Sequence, residues 1–218
     1  MKTKKTLTDS HLSIPAGEYI WDTNDAADFH RYVENPLIAI LRKAEVRTIL
    51  DLGCGNGYLT NRLAMCGYKV LGCDSSVSGI GAASSRYPAI TFFSHNLLEP
   101  LPQNHRECYD AVVCIEVVEH IFLPRRLMEN AKLALRPGGI LLLTTPYHGY
   151  LKNLCLALVN GFDRHWHPLR DYGHIKFFSR HTLHELIQSS GFEVVSFRTI
   201  GRVPPLARSM LICARKCP

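Results

Sequence analysis

The sequence predicts an α/β protein in which helices cover both faces of a mostly parallel β-sheet. Short apolar runs alternate with helical patterns between residues 48 and 145, as in strands that are joined by crossover helices. The run 111–115 contains no polar residue, which favours a central strand buried on both faces. With 218 residues, 46% of them hydrophobic, the chain is long enough to build one large core.

The first predicted element is a helix over 25–44, capped by Asn24 and kinked at Pro36, because its apolar residues recur at helical spacing. Strands are predicted at 48–50, 68–73, 90–93, 111–115, 140–145, 192–197 and 209–214, with a turn at 136–139 and further helices at 58–65, 76–87, 124–135 and 182–190. No helix separates the last two strands, so we expect them to pair antiparallel at a sheet edge.

The same pattern predicts how the chain is divided. Residues 1–44 form an N-terminal arm and helix that we expect to cover the ligand site. Residues 45–218 form the main domain, and 146–178 interrupt its alternation of strands and helices as an insertion.

Charge and cysteine content narrow the class of protein. The formal net charge of +6 comes from lysines and arginines that are spread along the chain, which makes a nucleic-acid partner a weak hypothesis. No apolar run approaches the roughly 20 residues that cross a membrane, and no apolar segment follows the basic start. The eight cysteines form no C-x-x-C pair, and five lie in apolar runs, so we expect reduced thiols and a cytoplasmic location.

The segment 48–57, T-I-L-D-L-G-C-G-N-G, is the main functional signal. A strand ends at Asp51 and three glycines follow at alternating positions, which predicts a tight turn with accessible backbone. The dinucleotide fingerprint G-x-G-x-x-G requires its third glycine where this chain has Tyr58, so a nicotinamide oxidoreductase is disfavoured. A carboxylate at Asp51 would repel a pyrophosphate and suit a cation. S-adenosylmethionine carries both an ammonium and a sulfonium, and we predict it as the ligand.

Two later positions extend this ligand site. Asp74 ends the second strand 21 residues after Gly53, about the spacing at which a carboxylate accepts both hydroxyl protons of a ribose. Asn96 follows the third strand, where its amide would lie beside the amino group of adenine. Taken alone, Asp74 is equally consistent with a turn or a helix cap, and Asn96 with an ordinary loop residue.

These motifs together resemble the class I S-adenosylmethionine-dependent methyltransferases. The resemblance covers about residues 45–215 and rests on D-L-G-C-G-N-G, on Asp74, on L-R-P-G-G before the fifth strand and on the closing strand pair. It implies a Rossmann-like sheet of seven strands, with the cofactor at the carboxyl ends of the first strands. The residues that we expect to contact the cofactor are Asp51, Gly53, Cys54, Gly55, Asn56, Gly57, Asp74, Ser75, Asn96, Leu97 and Ile115.

E-V-V-E-H at 116–120 and N-P-L at 35–37 are similar to the O-methyltransferases of ubiquinone biosynthesis. If 116–120 form a helical turn, Glu116, Glu119 and His120 share one face, where a divalent ion would relieve the repulsion between the carboxylates. In those enzymes, and in RNA 3′-terminal 2′-O-methyltransferases, a similar motif holds a metal together with a later histidine, which His174 matches here. We therefore name Glu116, His120 and His174 as catalytic candidates, and these three with Glu119 as ligands for Mg²⁺, Mn²⁺, Zn²⁺ or Fe²⁺.

The same motif also occurs in this fold without a metal, and then Glu116 belongs to the cofactor site while His120 caps or packs. In that case a histidine base would replace the metal, and the candidates are His148, His165, His167 and His174.

A metal that binds two neighbouring oxygens lowers the pKa of a hydroxyl, so we expect a small-molecule acceptor with a catechol, phenol or vicinal diol. The alternatives are an RNA-directed 2′-O-methyltransferase and a protein that binds S-adenosylmethionine without catalysis. Nothing in the glycine turn or at Asp74 argues for the second alternative.

The insertion 146–178 is predicted to form the acceptor pocket. Apolar residues at 151, 154, 155, 158 and 159 form a stripe on a short helix. The stripe either packs on the core as a lid, or it forms a hydrophobic channel or a membrane-surface contact for a lipophilic acceptor. Aromatic residues of the insertion suit a planar acceptor but fill cores as well, and they are Phe162, Trp166, Tyr172, Phe177 and Phe178.

Overall fold

The computed structural model describes residues 27–166, 169, 171–204 and 206–218. The strands are β1 (Thr48–Leu52), β2 (Lys69–Asp74), β3 (Thr91–Ser94), β4 (Tyr109–Ile115), β5 (Leu135–Pro146), β6 (Phe192–Ile200) and β7 (Ser209–Lys216). The helices are α1 (His30–Lys43), α2 (Tyr58–Met65), α3 (Val77–Arg86), α4 (Pro124–Ala134), α5 (Tyr150–Leu158), α6 (Phe162–Trp166) and α7 (Arg180–Ser189).

The strands form one sheet in the order β3-β2-β1-β4-β5-β7-β6. The first five are parallel, whereas β7 lies between β5 and β6 and runs antiparallel to both. The predicted fold class and the closing antiparallel pair are thus confirmed. The strand order changes direction between β1 and β4, and sheets of this kind bind ligands at the carboxyl ends of the strands beside such a switch point.

Each face of the sheet has its own core, because successive side chains of a strand point to opposite faces. In β4, Ala111, Val113 and Ile115 pack with residues of α1 and α2, while Val112 and Cys114 pack with residues of α4 and α7. This double burial explains why the segment 111–115 contains no polar residue.

Helix α1 begins at His30, five residues after the predicted start, and it continues through Pro36. Its buried residues Val33, Leu37 and Leu41 recur at helical spacing and belong to the same core as β1 and β4. The predicted cap Asn24 lies outside the described residues.

The predicted turn at 136–139 lies inside β5, as an irregularity in its pairing with β4. Leu135 pairs with Tyr109 and Ile140 with Ala111, so the four residues between them make no regular pairs. Gly138 has a φ of 73°, a backbone conformation that glycine adopts without steric cost. The strand therefore starts five residues before the predicted position at 140.

The insertion contains α5 and α6, and neither helix has a buried residue. Leu158 and Val159 are 77% and 73% exposed. The prediction that the apolar stripe packs on the core as a lid is therefore wrong for the described residues. Phe178 does pack in the core with residues of α4 and α7, so it is not part of an acceptor pocket. Within the described ranges, no helix is both long enough and apolar enough to cross a membrane.

Candidate active site

The three glycines after β1 form a turn that only glycine adopts easily. Gly53, Gly55 and Gly57 have φ values of 86°, 52° and 73°, in the left-handed region. The N–H groups of Gly53 and Cys54 donate to the carbonyl oxygen of Cys73 at 2.8 and 3.0 Å, which ties the turn to the end of β2. Gly57 is the N-cap of α2, so the turn leads directly into the positive end of a helix dipole.

Two carboxyl groups lie at this turn. Asp74 Oδ2 accepts the N–H of Gly55 at 2.8 Å, and Asp51 Oδ2 accepts the hydroxyl of Thr60 at 2.7 Å. Asp51 is buried, and this burial, with the charge of Asp74 added to it, raises the pKa of Asp51 to about 7. A cation bound beside both groups would relieve this penalty, and an anionic pyrophosphate would increase it. The site therefore fits the cationic methionine end of S-adenosylmethionine.

The adenine and ribose contacts remain predictions. Asn96 is exposed after β3, and its Oδ1, the atom that an amino group would need, accepts the N–H of Leu98 at 3.0 Å. A carbonyl oxygen has a second lone pair, so this bond leaves room for adenine. Ser75 is exposed beside Asp74 at the carboxyl edge of the sheet. The strand register aligns the carboxyl ends of β1, β2 and β3 along this edge, since Asp74 pairs with Ser94 and Leu52 with Cys73.

The remaining predicted cofactor residues are buried. The side chains of Cys54, Leu97 and Ile115 are 7%, 5% and 5% exposed, so these residues can meet a ligand chiefly through their backbone. Asn56 is buried as well, and its Oδ1 accepts the N–H of Tyr58 at 3.2 Å, which supports the first turn of α2. The sequence predicted cofactor contacts at these four positions, but it did not show whether the backbone or the side chain would make them.

The segment 116–120 differs from the predicted helical turn. Only Val118–His120 form a short 3₁₀ helix. Glu116 precedes it with a φ of 55°, unusual for a residue with a Cβ, and its N–H donates to Thr144 Oγ1 at 3.0 Å. The prediction that Glu116 shares one helical face with Glu119 and His120 is therefore wrong, because Glu116 lies in the bend between β4 and the 3₁₀ helix.

His174 does lie beside this segment, as the sequence predicted. The carbonyl oxygen of Glu119 accepts the N–H groups of the two residues that follow His174, at 2.9 and 3.0 Å. His120 Nδ1 lies 3.0 and 3.1 Å from the carbonyl oxygens of Tyr172 and Gly173, and it must be the donor because a carbonyl only accepts. The imidazole rings of His120 and His174 are 4.8 Å apart. Hydrogen bonds between these two segments of the chain therefore hold His120 and His174 close together.

Glu119, His120 and His174 fit a metal ion. One ligand atom from each lies within 4.8 Å of the others, and ligands of one ion are roughly 3–4 Å apart, so a small movement closes the set. Glu119 is fully buried, and its two carboxyl oxygens make no hydrogen bond of regular geometry within the described residues, although the side chains of Thr145 and Glu116 lie beside them. Burial, and then the charge of Glu116, raises the pKa of Glu119. Glu116 lies outside this group of ligand atoms.

A cavity of about 530 Å³ opens beside the cluster, and Glu116 and His174 line it. His148, His165 and Trp166 of the insertion line it as well, whereas His167 lies outside the described residues. Burial, reinforced by the charges of Lys152 and His165, lowers the pKa of His148 to about 4, so this imidazole is neutral at physiological pH. The volume of the cavity is typical of a small-molecule site.

Several residues of this cavity were not predicted from the sequence. Tyr32 reaches it from α1, Lys152 from α5, and Arg202, Arg208 and Ser209 from the end of the chain. The hydroxyls of Tyr32 and Ser209 are 3.2 Å apart, although 177 residues separate them in sequence. No local pattern marks these positions, because only the sheet order brings them together.

A family model of a methyltransferase domain matches residues 26–197 of the chain. The chain belongs to the class I S-adenosylmethionine-dependent methyltransferases. S-adenosylmethionine is therefore its cofactor, in agreement with the glycine turn and the two carboxyl groups beside it.

Known relatives agree with this family. It is 31% identical over 149 residues to a Mycolicibacterium smegmatis protein that is named as an S-adenosylmethionine-dependent methyltransferase. That alignment covers 68% of this chain and 52% of the relative, so the chain spans about half of the relative's length. It is also 30% identical over 184 residues to the ubiquinone biosynthesis O-methyltransferase of Hydrogenovibrio crunogenus, with 81% of this chain and 76% of the relative covered.

Solved structures agree with the fold of this methyltransferase. The magnesium protoporphyrin IX methyltransferase of Synechocystis, solved with bound SAH, superposes with a TM-score of 0.64. The match covers 84% of this chain and 81% of that one at 20% sequence identity, a level that supports the fold alone.

Proposed function

We propose that this methyltransferase transfers the methyl group of S-adenosylmethionine to a hydroxyl oxygen of a small molecule, at a divalent ion held by Glu119, His120 and His174. The buried carboxyl group of Glu119 carries the proposal, because it lies against a second carboxyl group, that of Glu116, makes no hydrogen bond of regular geometry in the described structure, and has two imidazoles beside it. A carboxylate buried against another carboxyl group is costly, and a cation at this point would remove that cost. The names of relatives such as the Hydrogenovibrio crunogenus O-methyltransferase support an oxygen acceptor.

The cofactor contacts belong to this proposal. Asp51 would stabilise the cationic methionine end, Asp74 would accept the ribose hydroxyls, and the backbone of the glycine turn would follow the ligand closely. Asn96 would bind the edge of adenine. Bound S-adenosylmethionine supplies an electrophilic methyl group on a positively charged sulfur.

The residues around the ion would prepare the acceptor. A divalent ion supplies positive charge that lowers the pKa of a hydroxyl, most effectively where two neighbouring oxygens bind, as in a catechol or vicinal diol. The chain itself would hold the acceptor in the cavity and exclude water from it. Glu116 lines that cavity and burial raises its pKa, so it is a better acceptor for the hydroxyl proton than an ordinary carboxylate. His148 is a weaker candidate for this role, because its pKa is lowered.

The insertion supports an acceptor that is at least partly apolar. Trp166 lines the cavity, stacks on Phe162 at 4.6 Å between ring centroids and lies 5.2 Å from Phe177. The apolar stripe of α5 is exposed, with Leu158 among its most exposed members. Cys155 and Val159 of the stripe also line the cavity, so the stripe favours the second sequence interpretation, a hydrophobic channel or membrane-surface contact that supplies a lipophilic acceptor.

The test is methyl transfer to a panel of catechols and phenols by protein that has been stripped with a chelator and then titrated with Mg²⁺, Mn²⁺, Zn²⁺ or Fe²⁺. We expect the stripped protein to lose activity and one of these ions to restore it. His174→Gln should weaken the response to the ion, and His181→Gln, which changes an exposed histidine of α7, is the matched control. Full activity of the stripped protein, with no residual metal by elemental analysis, would refute the metal.

A further inference from the structure

Three basic side chains converge on the acceptor cavity. Lys152 comes from α5, whereas Arg202 and Arg208 come from the connection between β6 and β7. Among the described residues that line the cavity, Glu116 carries the one carboxyl group against these three cations. Histidines and the hydroxyl groups of Tyr32 and Ser209 also belong to the polar lining, and the lowered pKa of His148 keeps that imidazole neutral. The cavity is therefore electropositive.

Backbone contacts hold the cations at the cavity. The N–H of Tyr147 donates to the carbonyl oxygen of Arg208 at 2.9 Å, and the carbonyl oxygen of Tyr147 accepts from Lys152 Nζ at 2.9 Å. The Arg208 guanidinium also lies 5.6 Å from the ring centre of Tyr32, within the range of a cation–π contact. The backbone of Tyr147, which directly follows β5, thus binds both Lys152 and Arg208.

Within the described residues, Glu116 is the carboxyl group whose charge acts on Lys152, and it is one charge against three. Among the residues that the structure describes, Lys152, Arg202 and Arg208 form no ion pair, although the basic residues Arg62, Arg126, Arg136 and Lys216 do. Lys152 is partly buried, and burial followed by the charge of Arg202 lowers the pKa of its ammonium group, while the charge of Glu116 opposes this shift and that of Arg208 adds to it. Grouping like charges in a partly buried site is unfavourable unless an anion binds among them.

We propose that the methyl acceptor carries an anionic group, a carboxylate or a phosphate, that binds Lys152, Arg202 and Arg208 while its hydroxyl lies at Glu116 and His174. The inference rests on the proposed O-methyltransferase function and narrows its acceptor class. Arginine forks match both oxyanions, so the two sources share the same recognition chemistry. The apolar lining, including Leu156, Val159 and Trp166, would contact the carbon skeleton between the two ends.

The cofactor offers a competing explanation, since S-adenosylmethionine has a carboxylate of its own. The two explanations differ in which affinity the basic residues control. If the cations serve the acceptor, their removal weakens acceptor binding and leaves cofactor binding unchanged. If they serve the cofactor, their removal weakens cofactor binding and leaves acceptor binding unchanged.

The experiment measures acceptor binding calorimetrically on the full chain loaded with the demethylated cofactor. The probes are 3,4-dihydroxybenzoate, the neutral 3,4-dihydroxybenzamide and 3,4-dihydroxyphenylphosphonate, which share one catechol ring. We expect the tighter of the two anions to bind about tenfold more strongly than the amide, and the order of the two anions to identify the preferred group. Lys152→Gln, Arg202→Gln and Arg208→Gln should each reduce this preference by about threefold or more. Lys43→Gln, at an exposed lysine in the last turn of α1, should not.

Equal affinity for the amide and both anions would overturn the inference, and so would variants that weaken only cofactor binding. Inorganic phosphate provides a probe that does not depend on the catechol ring. It should raise the melting temperature of the unmodified chain more than that of a triple variant that combines Lys152→Gln, Arg202→Gln and Arg208→Gln. Equal shifts in the two proteins would also count against an anion site. A charge preference without methyl transfer would support the anion site and reject the catechol acceptor, which separates this inference from the proposed function.

Discussion

Gly53 and Val117 pack so closely that a Cβ on Gly53 would lie 2.9 Å from Val117 Cγ1 and closer still to Cγ2. Gly53 opens the cofactor turn, and Val117 lies between Glu116 and the 3₁₀ helix that carries Glu119 and His120. The missing side chain of Gly53 therefore lets the cofactor turn and the proposed metal segment come into contact.

Gly53→Ala should disturb both sites together. A Cβ at a φ of 86° costs about 1–2 kcal/mol, and the clash with Val117 adds to it. We expect a loss of unfolding free energy of about 1–3 kcal/mol in urea and about tenfold or more in affinity for S-adenosylmethionine. Gly81→Ala is the matched control, because its Cβ meets nothing within 4 Å and it lies inside α3. Two variants of equal stability and affinity would contradict this account.

The local signals of the chain were sufficient to predict the fold and the cofactor turn. Strand periodicity, the glycines and the position of Asp74 lie within short stretches, and the seven strands follow them. The bend at Glu116 was not predictable, because its left-handed φ depends on the contact with Thr144 in β5. The basic residues of the cavity were missed for the same physical reason, since Lys152 and Arg208 meet through backbone bonds to Tyr147, which directly follows β5.

Cofactor affinity should depend on pH through Asp51. Its pKa is raised to about 7 by burial, and a cationic ligand favours the ionised form. Affinity should therefore fall by up to about tenfold per pH unit below this value and become constant above it. Calorimetric titration across this range measures the slope, and Asp51→Asn should bind more weakly but without that slope. The same slope in the variant would assign the titration to another group.

The raised pKa of Asp51 also affects stability. A carboxyl group whose pKa is higher in the folded state stabilises the fold fully below its unfolded value, and this contribution is lost as the pH rises through the folded value. In the absence of cofactor, the unmodified chain should therefore lose stability between about pH 4 and pH 7 relative to Asp51→Asn. Urea midpoints for both proteins across this range give the difference, and parallel curves would refute it.

Asn130 holds the loop that follows β3 in place. Its amide accepts the N–H of Leu101 at 2.7 Å and donates to the carbonyl oxygens of Leu97 and Glu99 at 2.9 Å each. Asn130→Ala would leave these buried groups without partners, so we expect a loss of about 1–3 kcal/mol and weaker binding of the adenine end of the cofactor. Urea unfolding and calorimetry measure the two effects. Glu129→Gln, on the exposed side of α4, should stay within about 0.5 kcal/mol of the unmodified chain.

Glu119 should show opposite effects on stability with and without metal. In metal-free protein the burial of this carboxyl group against that of Glu116 destabilises the fold, so at about pH 8 Glu119→Gln should be the more stable form by about 1 kcal/mol or more. Addition of Mn²⁺ should stabilise the unmodified chain through binding to the folded state and reverse that order. Chemical unfolding of both proteins, with chelator and then with Mn²⁺, measures this reversal. If Mn²⁺ raises the stability of both proteins equally, Glu119 is not a ligand, and its burial serves the packing between the 3₁₀ helix and β5.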